Sequence, residues 1–218
     1  LGVWLATRDR RRAVDQTIDA WGRWGMGAAG ITLDVDGGEH LVSPRPAVYL
    51  LNHQSGVDPI LLCALLRAGF TAVAKKEIRS NPLLGPAFAF AGVAFVDRDD
   101  RSQALRALAP TVDGLLGGLS LAVAPEGTRS PDAAVGEFKK GAFRIAIEND
   151  LPLVPITLHR AFDVWPPGRR ICLGGRVVMV IHEPIPTTDL DLGDVGELRD
   201  RARDIIDETL QRLQHEDP

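Results

Sequence analysis

The chain has 218 residues, 45% of them hydrophobic and 25% charged, which fits one sizeable globular domain with a small appendage and excludes a disordered or collagen-like chain. A formal net charge of −4 and a pI near 5.7 speak against broad nucleic-acid binding, which needs a basic footprint. Two cysteines, Cys63 and Cys172, make no disulfide framework and read as buried, reduced thiols of a cytosolic protein.

Residues 1–30 stand apart as an amphipathic helical segment. They hold Trp4, Trp21 and Trp24 and a basic cluster at Arg8, Arg10, Arg11 and Arg12, while Val14, Ile18 and Trp21 recur at helical spacing. Tryptophan and arginine on such a helix suit the headgroup layer of a bilayer. Docking of the apolar side on the protein's own core is the competing reading. Leu1 in place of methionine implies a longer native chain, with room for a fusion upstream. No stretch qualifies as a membrane span. Ser80 to Val96 is uncharged, but Asn81, Pro82, Gly85, Pro86 and Gly92 would break a helix already too short. No signal peptide is recognisable.

From residue 46 strands and helices alternate. Ala47 to Leu51 is an apolar strand. Asp58-Pro59 reads as a helix N-cap and first turn, and Gly69 stops that helix. Thr71 to Ala74 is a strand, Asn81-Pro82 opens a helix, and Gly92 to Val96 is the next strand. A helix is expected from about Ser102 to Leu116 with a kink at Pro110, then a strand from Leu121 to Ala124. Gly141 to Glu148 is helical and Leu151 to Leu158 extended. Ile171 to Leu173 and Val177 to His182 complete the sheet before a charged helix from about Val195 to Leu213. Continuous apolar strands separated by helices predict an α/β domain over residues 31–218, a mostly parallel sheet with helices on both faces.

The chemistry concentrates at strand ends. In Asn52-His53-Gln-Ser-Gly-Val-Asp58 the strand ends near Asn52 and the helix begins after Asp58, so a tight loop can join His53 to Asp58. Ligands of α/β sheets bind at the carboxyl ends of strands. A carboxylate on one imidazole nitrogen fixes the tautomer and frees the other nitrogen to act as a general base. Pro125-Glu-Gly-Thr-Arg-Ser130, also at a strand end, suits a phosphate: backbone N–H groups approach at Gly127, and Arg129 offers a planar fork. Arg98 follows another strand. Of 25 basic residues only four are lysine, and they form two pairs, Lys75-Lys76 and Lys139-Lys140, each at a loop of this kind. Together these loops point to one convergent anion site. There is no G-x-S-x-G elbow, no phosphate-loop or dinucleotide fingerprint, and no histidine or cysteine spacing for a metal. His40, His159, His182 and His215 read as surface or strand-end residues.

Four blocks now stand in order: Asn52-His53-(x4)-Asp58, Gly92-Val-Ala-Phe-Val-Asp-Arg98, Pro125-Glu-Gly-Thr-Arg-Ser130 and Val154-Pro-Ile156. In order and approximate spacing they resemble the 1-acylglycerol-3-phosphate acyltransferases and the wider glycerolipid acyltransferase superfamily, over roughly residues 45–190. Ala74-Lys-Lys-Glu-Ile78 and Asn81-Pro-Leu-Leu-Gly85 between the blocks are similar too. The resemblance implies transfer of an acyl chain from acyl-CoA or acyl carrier protein to the free hydroxyl of lysophosphatidate. No other cofactor and no metal are implied. His53 would deprotonate the hydroxyl, with Asp58 orienting and charge-stabilising it. Arg98, Arg129, Gly127 and Thr128, with Glu126 and Lys75, would form the phosphate site. The chain departs from the family pattern at Ala124, where phenylalanine is common, which bears on acyl-pocket shape. The N-terminal segment would dock on the cytoplasmic face of the membrane, making the protein peripheral. A relative using another lysophospholipid, glycerol 3-phosphate or a glycolipid is the nearest alternative, and a non-catalytic lipid-binding domain the next.

Overall fold

The computed structural model describes residues 9–41, 46–82, 84–97 and 111–217. Seven strands form one sheet: β1 (Ile31–Asp36), β2 (Val48–Leu51), β3 (Phe70–Lys75), β4 (Ala94–Val96), β5 (Ser120–Val123), β6 (Leu153–His159) and β7 (Gly175–Ile181), in the spatial order β1-β7-β6-β2-β5-β3-β4. β6, β2, β5, β3 and β4 run parallel. β7 is antiparallel to β6 and carries β1 parallel to itself at the edge. The mostly parallel sheet is as predicted.

The helices are α1 (Arg10–Ala29), α2 (Asp58–Leu66), α3 (Leu84–Ala91), α4 (Gly141–Glu148), α5 (Ala161–Val164) and α6 (Val195–Glu216); residues 111–116 are also helical. The pleat of β2 sorts its side chains to opposite faces. Tyr49 and Leu51 join Ile156, Leu158 and the apolar side of α2, while Val48 and Leu50 join Leu121, Phe143 of α4 and Ile206 of α6. Because both faces are covered, every residue of β2 and of β6 is buried, and that is why these strands read as unbroken apolar runs.

Several expectations are corrected. α1 buries Ala13, Val14, Ile18 and Gly22 and packs on α2, so its apolar side docks on the protein's own core, the competing reading of that stripe. A Cβ on Gly22 would come within 2.4 Å of the Ala64 nitrogen, so glycine is what lets the two backbones touch. Asp9 caps α1 by accepting from Arg12 N at 3.0 Å, and Gly30 ends it at φ +64°. Its apolar stripe is therefore core, while Trp24 on the outer face is 78% exposed. β1 was not expected; Ile31, Leu33 and Val35 alternate with Thr32, Asp34 and Asp36, a period of two at a sheet edge. Ile171 to Leu173 form no strand and lie in an exposed loop before β7. β4 starts at Ala94, and α3 starts at Leu84 after a 3-10 turn over Lys76–Ser80. Most of the helix expected from Ser102, including Pro110, lies outside the described residues. Of the thiols, Cys63 is buried, which pushes its pKa up to about 12, whereas Cys172 is half-buried.

Candidate active site

The parallel strands deliver their carboxyl ends to one edge of the sheet, and the candidate site is built there. β2 stops at Asn52, a fully buried amide that ties the strand end to β6. Its Nδ2 donates to Leu158 O at 2.9 Å, and its Oδ1 accepts from Leu158 N at 2.7 Å. The chain then turns through His53 to Val57 before α2 begins.

One carboxylate oxygen organises this turn. Asp58 Oδ2 accepts from His53 Nδ1 at 2.7 Å, from Gln54 N at 2.9 Å and from Ser55 N at 3.0 Å. Asp58 is 2% exposed and occupies the first turn of α2, where the helix dipole favours negative charge. It holds the turn ahead of the helix and makes no capping bond to α2, so the expected N-cap role is replaced by this one. Since a carboxylate only accepts, Nδ1 carries the imidazole proton and Nε2 presents a lone pair. The His53 side chain is 23% exposed, and Nε2 makes no hydrogen bond among the described residues. This arrangement can take a proton from a hydroxyl and stabilise the imidazolium that results.

The loop after β5 is the second half of the site. Glu126, 6% exposed, spends both carboxylate oxygens on backbone: Oε1 accepts from His53 N at 2.7 Å and Oε2 from Gly136 N at 3.1 Å. Burial raises its pKa, and the two backbone bonds only partly offset that. Glu126 is therefore a clamp on the His53 loop, with one backbone N–H on each carboxylate oxygen. Ser130 N adds a bond to His53 O at 2.7 Å. Gly127 sits at φ +75°, and the Lys139 ammonium lies 3.1 Å from where a Cβ on Gly127 would stand. Thr128 and Arg129 are exposed and line an open cleft of about 880 Å³, whose other cations are Lys139, Lys140 and Arg199.

The structure thus joins His53, Asp58, Glu126, Gly127, Thr128 and Arg129 in two touching loops. Lys75 ends β3 at the same sheet edge, is exposed, lies 3.6 Å from Glu77 Oε1 and does not line the cleft. Arg98 lies outside the described residues. His159, expected near the surface, is buried and its Nε2 shares a hydrogen bond of 3.0 Å with Asp217 O. Sequence reasoning missed the tie made by Asn52, although that residue stood in the motif, and the role of Gly136. A Cβ on Gly136 would meet Glu126 Oε2 at 2.8 Å, a long-range requirement with no local signature.

Residues 32–159 match the family model described as Acyltransferase. Among similar proteins, the 1-acyl-sn-glycerol-3-phosphate acyltransferase of Saccharomyces cerevisiae is 32% identical over 179 residues, covering 81% of this chain and 59% of the relative. The alpha enzyme of that name from Homo sapiens is 32% identical over 175 residues, covering 80% and 62%. The chloroplastic BAT2 enzyme of Brassica napus is 37% identical over 179 residues, covering 81% and 50%. The chain therefore spans about half to two thirds of the length of these relatives. The crystal structure of the 1-acyl-sn-glycerophosphate acyltransferase PlsC from Thermotoga maritima superposes with a TM-score of 0.81 at 28% identity, covering 95% of this chain and 84% of that one.

Proposed function

The chain belongs to the acyltransferase family, and from that premise we propose that it acylates the free hydroxyl of a 1-acylglycerol-3-phosphate, giving phosphatidate. The donor is a fatty acyl thioester of coenzyme A or acyl carrier protein. The observation that carries this reading is the His53–Asp58 contact of 2.7 Å, clamped through Glu126 to the loop that bears Arg129. A base and an anion-binding loop are then parts of one unit.

His53 Nε2 removes the acceptor's hydroxyl proton as the oxygen attacks the thioester carbonyl. The new C–O bond forms, the C–S bond breaks, and the proton passes from the imidazolium to the departing thiolate. Asp58 holds the imidazole in place and balances its charge during transfer. No acyl-enzyme intermediate is needed. Arg129, with Gly127 and Thr128, receives the acceptor phosphate through charge-assisted hydrogen bonds, and Lys75, which lies outside the lining of the cleft, and Arg98, beyond the described residues, are its further expected contacts. The outer face of α1, with Trp24, Arg12 and Arg23, meets the cytoplasmic membrane surface. No helix among the described residues is long and apolar enough to cross a membrane.

The test offers the purified protein a long-chain acyl-CoA with lysophosphatidate, lysophosphatidylcholine, glycerol 3-phosphate or monoacylglycerol, and follows thiol release. Release should require lysophosphatidate and should disappear in His53→Ala. Preference for another acceptor would overturn the substrate. Transfer to none would leave a lipid-binding domain.

A further inference from the structure

The connection between β6 and β7 runs at the same sheet edge as the candidate site. The short α5 is followed by Trp165-Pro-Pro-Gly-Arg-Arg-Ile-Cys-Leu-Gly174. Its base is fixed directly to the His53 turn. Trp165 O accepts from Gly56 N at 3.1 Å and from Ser55 Oγ at 3.0 Å, and the Trp165 ring packs so closely that a Cβ on Gly56 would approach it to 2.9 Å. The returning arm is fixed as well. Leu173 N donates to Val164 O at 2.9 Å, Cys172 Sγ lies 3.7 Å from Ala29 O at the end of α1, and Gly175 N donates to Gly30 O at 3.0 Å.

The projecting part of this anchored loop has a composition that water does not favour. Ile171 is 70% exposed and Leu173 is 61% exposed, among the most exposed large apolar side chains of the described residues. Trp24, 78% exposed, stands on the last two turns of α1, the helix whose end the loop touches. The flanking Arg169 and Arg170 are exposed, and neither guanidinium has an ion-pair partner among the described residues. Two aliphatic side chains on a loop cannot supply the area of about 1,200–2,000 Å² that a stable protein–protein interface buries. Two such side chains framed by unpaired arginines do match a bilayer, with acyl chains below and anionic headgroups at the arginine level.

We propose that loop 165–174 is a membrane-seating element, with Ile171 and Leu173 entering the acyl layer and Arg169 and Arg170 binding anionic headgroups. Because the loop is bonded to Ser55 and Gly56, seating it holds the His53 turn at the lipid surface. The proposal builds on the lysophosphatidate reading, since only a lipid acceptor makes that position useful, but its test does not depend on it.

The full chain is mixed with sedimentable vesicles of phosphatidylcholine alone or with 30 mol% phosphatidylglycerol. Ile171→Asp/Leu173→Asp should lower partitioning onto the anionic vesicles by at least about tenfold, given the apolar burial lost. Arg169→Ala/Arg170→Ala should weaken binding to anionic vesicles and leave that to the zwitterionic ones unchanged. Far-UV circular dichroism should not change. Ile171→Trp should raise partitioning, and lipids brominated on the acyl chain should quench the introduced indole. Unchanged partitioning of the double aspartate variant, or no such quenching, overturns the proposal. So does a vesicle-independent dimer in sedimentation equilibrium that the aspartates disperse, because the patch would then belong to a second copy. Transfer onto a short-chain, water-soluble lysophosphatidate should be unaffected by these variants. Failure of the wild type in that assay would sink the acyltransferase reading and leave the vesicle result standing.

Discussion

Glu126→Gln should separate the stability of the site from its activity. The carboxylate is 6% exposed and accepts one backbone N–H on each oxygen, His53 N at 2.7 Å and Gly136 N at 3.1 Å. Glutamine has one acceptor, so one N–H must face an amide N–H whichever way the group is flipped. The neutral hydrogen bond lost is worth about 0.5–1.5 kcal/mol. Against it stands the desolvation of a buried ion, several kcal/mol before compensation. The sign follows from the pKa, which burial raises above 4.5 despite both backbone bonds. The folded protein then holds the proton more tightly than the unfolded chain, so the group's contribution to stability is greatest at low pH and is lost as pH rises through the folded pKa. At pH 7 the neutral isostere should therefore melt no lower than wild type, and its relative advantage should vanish on acidification, where wild type takes up the proton itself. Turnover should move the other way. Freeing His53 N loosens the base, and a displacement of that kind costs on the order of 10- to 100-fold in kcat, with KM for the donor little changed. Melting curves from pH 4 to 8 beside thiol-release kinetics read both quantities. A variant that melts well below wild type at pH 7 would refute the burial argument, and one with normal kcat would refute the clamp.

Asp58→Asn should lower kcat about 10²–10⁴-fold with a small change in melting temperature, because Oδ2 accepts the bonds from His53, Gln54 and Ser55 while Oδ1 is buried without a partner among the described residues, so asparagine keeps the geometry and loses the charge. Arg129→Ala should raise KM for lysophosphatidate about 10- to 100-fold and leave KM for the acyl donor unchanged, with Arg129→Lys recovering only part; equal losses on a monoacylglycerol acceptor would show that the arginine does not read the phosphate. Gly22→Ala places a Cβ 2.4 Å from the Ala64 nitrogen and should cost about 1–3 kcal/mol, seen as a lower melting temperature in calorimetry. His182 has its pKa lowered from 6.5, chiefly by burial, so the unfolded chain takes the proton first and stability should fall as pH drops below about 6.5; His182→Gln should flatten that part of the profile in denaturant titrations.

What could be read from the sequence was what a parallel sheet writes locally. β2 and β6 announce themselves because burial on both faces leaves no polar residue to interrupt them, and His53 and Asp58 fall in one short loop. The elements that escaped are those whose character is set from a distance. β1 is half polar because only one neighbour covers it at the edge, so its alternation was the sole signal. Ile171 to Leu173 carry strand-like residues, yet the loop is pinned at both ends by α5 and α1 and its apolar side chains stay in solvent. Glu126 stands in a loop built like an anion site, and nothing local reveals that its carboxylate points back at the neighbouring strand end. The apolar spacing of α1 was visible, but only the close approach of Gly22 to Ala64 decides that this stripe faces protein.

The remaining question is why a glutamate should reach a histidine so far from it in the chain, and the sheet register answers it. β2 and β5 are parallel neighbours, with Val48 opposite Leu121 and Leu50 opposite Val123. Partners on the two strands are thus a constant 73 residues apart, and the same separation carried past the strand ends sets His53 opposite Glu126, where the bond is found. On the other side of β2, Val48 lies opposite Leu153 and Leu51 opposite Ile156, and Asn52 closes that strand end onto Leu158. The base is therefore fixed from both flanks by ladders that only extend the hydrogen bonding of the core. Since successive strand residues face opposite sides, a slip of one position between β2 and β5 would set Pro125 or Gly127 opposite His53 and turn the apolar set of β5 out of the core. The apolar packing that holds this register is thereby also what holds the two loops as one site, and a core substitution that loosened β5 against β2 would reach kcat through Glu126 without touching a residue of either loop.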